Sequence, residues 1–146
     1  MIDRKFIGHQ LKSSVLTVDR TRLQFFAKAI GEKDPVYTDP AAAQAAGYAD
    51  VPAPPTFLFA AELDSGANDQ LLVDLDIPLA KLLHGEQSFR YIKPVCAGDT
   101  VTVQSTVTDI YDKKGGKLEF AVKDSKVTNQ RSELVAELRT VLVVRH

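Results

Sequence analysis

Two periodicities divide this chain. Between Asp19 and Leu83 apolar residues recur at helical spacing and prolines mark loops, whereas from Glu86 to Val144 apolar and polar residues alternate and β-branched residues dominate. The first half predicts helices and the second half strands, with no linker between them.

The helical half resolves into three segments. After an extended stretch at Ser14 to Val18, Asp19 is a good N-cap, and Leu23, Phe26, Ala27 and Ile30 share one face of a short helix that Gly31 ends. Pro35 holds Asp34 in extended backbone, so helix resumes only after Thr38 or Asp39 as a cap, with Pro40 in the first turn, Ala41 to Ala46 as body and Gly47 as stop. A loop rich in Ala and Pro, Val51 to Pro55, leads into Thr56 to Leu63, which is apolar almost all round and therefore predicts a helix buried on most sides.

Strands are predicted at Glu86 to Lys93, Asp99 to Tyr111, Lys117 to Thr128 and Glu133 to Val144. Asp112 to Gly116 and Asn129 to Ser132 carry hairpin-turn residues, and Pro94 to Asp99 supplies Pro and Gly between the first two strands, so the expected topology is an antiparallel meander. Val101, Val103 and Val107 alternate with Thr100, Thr102, Gln104 and Thr106, which buries one face of the sheet. A long antiparallel sheet with one apolar helix to wrap around is the α+β hot-dog arrangement. The β-branched end of the last strand, Val141 to Val144, is the expected exposed edge, and pairing with a second such domain would protect it.

Composition narrows the function classes. The 146 residues fit a single domain, 1–146, able to bury roughly two thirds of its unfolded surface. With 18 basic and 19 acidic residues there is no net field to draw the protein to nucleic acid or anionic membrane. One cysteine, Cys96, and three scattered histidines offer no metal-ligand spacing, so no metal and no cofactor is expected. Cys96 has no flanking cation to lower its pKa, Lys113 and Lys114 read as a solvated hairpin tip, and His9 and His146 as surface residues near the chain ends. No apolar run reaches membrane-spanning length and the N-terminus lacks a leader, so a cytoplasmic location is expected.

The run Gly31-Glu32-Lys33-Asp34-Pro35-Val36-Tyr37-Thr38-Asp39 resembles, without gaps, the signature Gly-Asp-x-Asn-Pro-x-His-x-Asp of R-specific enoyl-CoA hydratases and MaoC-like dehydratases. Phe89-x-Tyr91-x-x-Pro94-Val95-x-Ala97-Gly98-Asp99 is similar to that family's strand and Pro-Val-x-x-Gly-Asp turn, and Val127 to Val144 to its paired C-terminal strands. The resemblance implies a hot-dog fold and an acyl thioester carried by CoA or acyl carrier protein. It also carries departures: the family's catalytic Asp falls on Glu32, its catalytic His on Tyr37, and the His-Gly before its central helix on Pro54, Pro55 and Thr56. That pattern resembles the family's N-terminal-type domains, including the A-type subunit of heterodimeric (3R)-hydroxyacyl thioester dehydratases.

Hydrating an α,β-unsaturated thioester needs a base for water, an acid for the α-carbon and donors for the enolate oxygen. Glu32 is still a carboxylate, whereas Tyr37, with an ordinary pKa near ~10, is a poor base but a good hydrogen-bond donor. His84 and Glu86, two apart on a strand, would share a face and replace the lost dyad. The structural alternatives are that His84 hydrogen-bonds at the strand entry and that Glu32, Asp34 and Tyr37 shape a loop, with Asp34 and Asp39 capping backbone. Substrate contacts are expected at Asp34 and at the backbone N–H groups of Thr56, Phe57 and Leu58, where the helix dipole favours negative charge. Phe57, Phe59 and Leu63 would line an acyl chain or simply fill the core.

Four functions follow. The first is a subunit of a thioester hydratase or dehydratase whose partner carries the Asp and His; the second is a self-sufficient homodimeric hydro-lyase using Glu32 with Tyr37 or His84. The third is an acyl-CoA binding module without chemistry, and the fourth a thioesterase using Glu62, the one carboxylate evident on the central helix. The chain is expected in a homodimer or heterodimer of hot-dog subunits.

Overall fold

The computed structural model describes residues 1–64 and 66–146, with backbone alone at 67. Helix α1 (Arg20–Ala29) starts where Asp19 accepts the Arg22 N–H at 2.9 Å, and ends at Gly31, whose φ of 76° few other residues tolerate. Its buried face is Leu23 and Ala27, and Phe26 meets Phe57 edge-on at 5.5 Å. Ile30, expected on that face, is 51% exposed at the helix C-cap. A 3-10 turn, Pro35–Tyr37, follows, and then helix α2 (Pro40–Ala45), capped by Asp39 and opened by Pro40.

Helix α3 (Phe57–Asp64) is the central helix, with Phe57, Leu58 and Ala61 buried in the curl of the sheet. The periodicity predicts no element between Leu63 and Glu86. The structure forms helix α4 (Ala67–Asp74) there, whose Leu71 joins Leu75 and Ile77 in a second core cluster. Two turns are too short for a firm helical period, and α4 is held by the core its leucine reaches.

Strands β1 (Ser14–Thr17), β2 (Leu82–Tyr91), β3 (Thr100–Lys113), β4 (Leu118–Thr128) and β5 (Leu134–Arg145) form one antiparallel sheet in the order β1-β3-β4-β5-β2. Consecutive strands from β3 to β5 pair as a meander, as their turn residues require. Three expectations are corrected. The meander does not include β2, which pairs with β5 and not with β3 across the Pro94–Asp99 turn, because β2 and β3 stand at separate positions in the curled sheet. Strand β5 lies inside the sheet, so the edge beyond it is β2, not Val141 to Val144. Strand β2 also begins four residues earlier than Glu86 and carries a bulge at Gly85.

The core has two parts on the helix side of the sheet. One packs Phe57, Leu58 and Leu23 against Val101, Val103, Val127 and Leu138; the other packs Leu71, Leu75 and Ile77 against Val107, Ile110, Ala121 and Val144. Among the described residues no helix is long and apolar enough to cross a membrane, and no three His, Cys, Asp or Glu side chains form a group able to hold a metal ion.

Candidate active site

The loop before α3 is tied into the fold at both ends: the Ala53 N–H donates to the Val95 carbonyl at 2.7 Å and the Ala97 N–H to the Val51 carbonyl at 2.8 Å. This brings the Pro94–Asp99 turn against the entry to the central helix. Between them opens a cleft of about 340 Å³ lined by Tyr37, Tyr48, Tyr91, Pro52, Pro55 and Lys93, among others. Tyr37 arrives on the 3-10 turn, Tyr48 follows the stop at Gly47, and Tyr91 is the last residue of β2.

Tyr91 donates a short hydrogen bond to the Pro55 carbonyl, pinning the residue that precedes the α3 entry. Burial pushes its phenol up to about 12, with the neighbouring Tyr37 adding to the effect. The Tyr37 phenol is raised as well, first by burial and then by Tyr48, Glu32 and Asp34. Both are therefore neutral donors at physiological pH. Lys93, on the same wall, is engaged 2.7 Å from Glu133.

The carboxylates of the signature run shape the loop. Glu32 Oε1 accepts the N–H of Lys33 at 2.8 Å and of Asp34 at 3.0 Å, and Asp34 Oδ1 accepts that of Val36 at 3.0 Å. At the helix entry, the Phe57 N–H goes to the Pro54 carbonyl at 2.9 Å, so Phe57 is not the free donor expected of it. The Phe57 and Leu58 side chains are fully buried in the core. Among the described residues the N–H groups of Thr56 and Leu58 have no partner, as the first turn of a helix leaves them.

His84 lies elsewhere. It stacks on Phe59 at 4.9 Å in a separate pocket of about 200 Å³ lined by Leu63, Leu72, Leu82 and Leu142, and its Nε2 lies 3.2 Å from the Glu86 carbonyl oxygen. The bulge corrects the expected pairing with the Glu86 carboxylate: His84 is opposite Leu142 and Glu86 opposite Val141, adjacent β5 residues that face opposite sides of the sheet. The structure thus groups Tyr37 with the loop of Glu32 and Asp34, and sets His84 apart from them.

Glu62 is also committed. It is 2% exposed, with Oε1 accepting from Ser105 Oγ at 3.2 Å and Ser125 Oγ at 2.5 Å, and Oε2 lying 3.2 Å from Lys123 Nζ. Lys123 reaches Asn68 Oδ1 at 2.5 Å, and burial lowers its pKa against the opposing pull of Glu62. A carboxylate so placed bonds helix to sheet and does not reach the tyrosine cleft. Tyr48, Tyr91 and this network were missed in the sequence. Only Tyr91 left a trace, as a member of the Phe89-x-Tyr91 strand pattern.

Residues 5–138 match the family model described as FAS1-like, dehydratase domain region. A UPF0336 protein of Streptomyces avermitilis is 37% identical over 145 residues, covering 99% of this chain and 95% of that protein. Among solved structures, a chain of the C-terminally truncated HadBC (3R-hydroxyacyl-ACP dehydratase) complex from Mycobacterium tuberculosis superposes with a TM-score of 0.82 at 26% identity, over 94% of this chain and 96% of that one. A MaoC-like dehydratase superposes at a TM-score of 0.86 and 25% identity, over 96% of this chain and 42% of that one. The hot-dog fold and the MaoC-like resemblance are both borne out.

Proposed function

The chain belongs to the FAS1-like dehydratase family, and from that premise we infer that it is the supporting subunit of a two-chain acyl-thioester hydro-lyase whose acid and base come from a second hot-dog chain. The observation that carries this reading is the chemistry of the tyrosine cleft. Its walls present neutral phenols and a lysine already held by Glu133, while Glu32 is turned onto its own loop.

Adding water across an enoyl thioester removes a proton from water and delivers one to the α-carbon. A phenol with an ordinary pKa near ~10 is ionised to about one part in a thousand at pH 7, and the burial of Tyr37 and Tyr91 lowers that fraction further. What these groups do well is donate. The Thr56 and Leu58 N–H groups at the positive end of α3, with the Tyr37 phenol that lines the cleft, suit the thioester oxygen as it gains negative charge, whereas the one Tyr91 hydroxyl proton is given to Pro55.

The substrate class is a 3-hydroxyacyl or enoyl thioester on CoA or acyl carrier protein. Among the described residues β2 is an edge strand of the sheet, paired only with β5, and so offers an edge to a partner strand. Support also comes from the similarity to a chain of a complex described as a (3R)-hydroxyacyl-ACP dehydratase.

The test is loss of enoyl-thioester absorbance with crotonyl-CoA and longer enoyl-CoA substrates. The expected result is no turnover by the purified chain and turnover when it is co-purified with a hot-dog chain carrying Gly-Asp-x-Asn-Pro-x-His. Turnover by the chain alone, abolished by Glu32→Ala or Tyr37→Phe, would overturn the proposal in favour of a self-sufficient enzyme.

A further inference from the structure

The register of the sheet assigns each side chain to a face. On β4, Ala121, Lys123, Ser125 and Val127 turn towards the helices, through the two core clusters or Glu62, so Phe120, Val122, Asp124 and Lys126 turn outward. Val122, Val141 and Val143 are only 1%, 5% and 9% exposed, yet belong to neither core cluster, because they lie on the outer face.

Cross-strand pairing arranges that face in rows. Tyr111, Phe120, Val143 and Leu83 are successive partners across β3, β4, β5 and β2, with the two rings stacked at 4.7 Å and Leu83 51% exposed. On one side runs the row Lys113, Leu118, Arg145; on the other, the row Asp109, Val122, Val141, Glu86. Farther along, Asp124 with Arg139 and Glu137 with Arg90 make an ordinary polar surface of ion pairs at 3.1 and 2.7 Å. The outer face is therefore apolar at one end only, and there the apolar row lies between exposed cations and exposed carboxylates.

We propose that this half-face is the docking surface for a second copy of the same chain, the two sheets packed face to face about a two-fold axis along the Tyr111–Leu83 row. Such an axis reverses strand direction and preserves strand order. Lys113 then lies over Asp109 of the second copy, and Arg145 over its Val141, beside Glu86. An axis parallel to the strands would set Asp109 against Glu86 of the second copy and leave Lys113 and Arg145 without carboxylates, so the charge pattern selects the first arrangement.

Four strands at ~4.8 Å spacing and three rows about 7 Å apart give roughly 400 Å² per copy, about half of the ~800 Å² per partner of a standard stable interface. The dimer is therefore weak and salt-sensitive. It leaves the β2 edge unused and does not depend on the hydro-lyase reading.

Sedimentation equilibrium on the chain, from micromolar to millimolar concentration at low and high salt, tests this. The expected result is a monomer–dimer equilibrium that salt weakens. Asp109→Lys and Lys113→Asp should each raise Kd about tenfold or more, each acting twice in the two-fold contact, while the double variant restores association to within about threefold. The proposal is overturned by a chain that stays monomeric, by a dimer indifferent to both single substitutions, or by single losses that the double variant does not rescue. A dimer that protects β2 amides from hydrogen exchange also overturns it, since that is edge pairing.

Discussion

Replacing Lys123 by Met should be among the most destabilising single changes available in this protein. The Lys123 ammonium and the Glu62 carboxylate are each 2% exposed and lie 3.2 Å apart between β4 and α3. Methionine keeps the volume and removes the charge, which leaves a buried carboxylate without the ammonium that offsets its lost hydration. Breaking one side of such a pair costs about 3–5 kcal/mol. The Ser105 and Ser125 hydroxyls still donate to Glu62, which places the expected loss near ~3 kcal/mol, or a fall in Tm of roughly 6–12 °C for a chain of this size. Adding Glu62→Gln removes the stranded charge while retaining a serine acceptor. The double variant is therefore expected to be more stable than Lys123→Met alone, within about 1–2 kcal/mol of the parent. Urea unfolding of the three proteins at neutral pH measures both quantities. A loss below about 1 kcal/mol for Lys123→Met, or a double variant weaker than the single, would refute the reasoning.

Two further outcomes follow from the geometry. In the folded protein the Tyr91 phenol stays protonated to about 12, against an ordinary value of 10.0. The folded state therefore holds a proton that the unfolded chain releases, so stability is intact below pH 10 and is lost as pH rises from 10 towards 12. Tyr91→Phe should make that alkaline limb shallower and delete the latest-ionising component from a phenolate absorbance titration; an unchanged titration would contradict the burial of Tyr91. At Gly85, an added Cβ would lie 2.7 Å from Val143 Cγ2 and 3.1 Å from the Val141 carbonyl oxygen. Gly85→Ala is accordingly expected to cost about 1–3 kcal/mol in urea unfolding, and a change within about 0.5 kcal/mol would show that the bulge relaxes freely.

Local chemistry makes much of the fold legible in the order of residues. Asp19 and Asp39 cap helices because a carboxylate next to free N–H groups does so wherever it occurs, and Pro35, Pro40, Gly31 and Gly47 set boundaries through their own backbone preferences. The alternation of Val101, Val103 and Val107 with Thr and Gln required a one-sided sheet, and the apolarity of Thr56 to Leu63 required a helix for it to cover. Those are statements about neighbours in sequence, and the α+β hot-dog arrangement follows from them.

The site depended on partners distant in the chain. Tyr91 meets Pro55, and Lys123 meets Glu62, only because the sheet curls over α3, and no local pattern marks either contact. His84 and Glu86 part because a single bulge at Gly85 shifts the alternation by one residue, a shift set by packing against Val141 and Val143 on another strand. The position of β5 inside the sheet, which leaves β2 as the edge, was likewise decided by which strands pair across the whole domain. Sequence alone determined the elements and the face each buries; the tertiary fold decided which side chains meet, since that depends on register and curvature rather than on neighbouring residues.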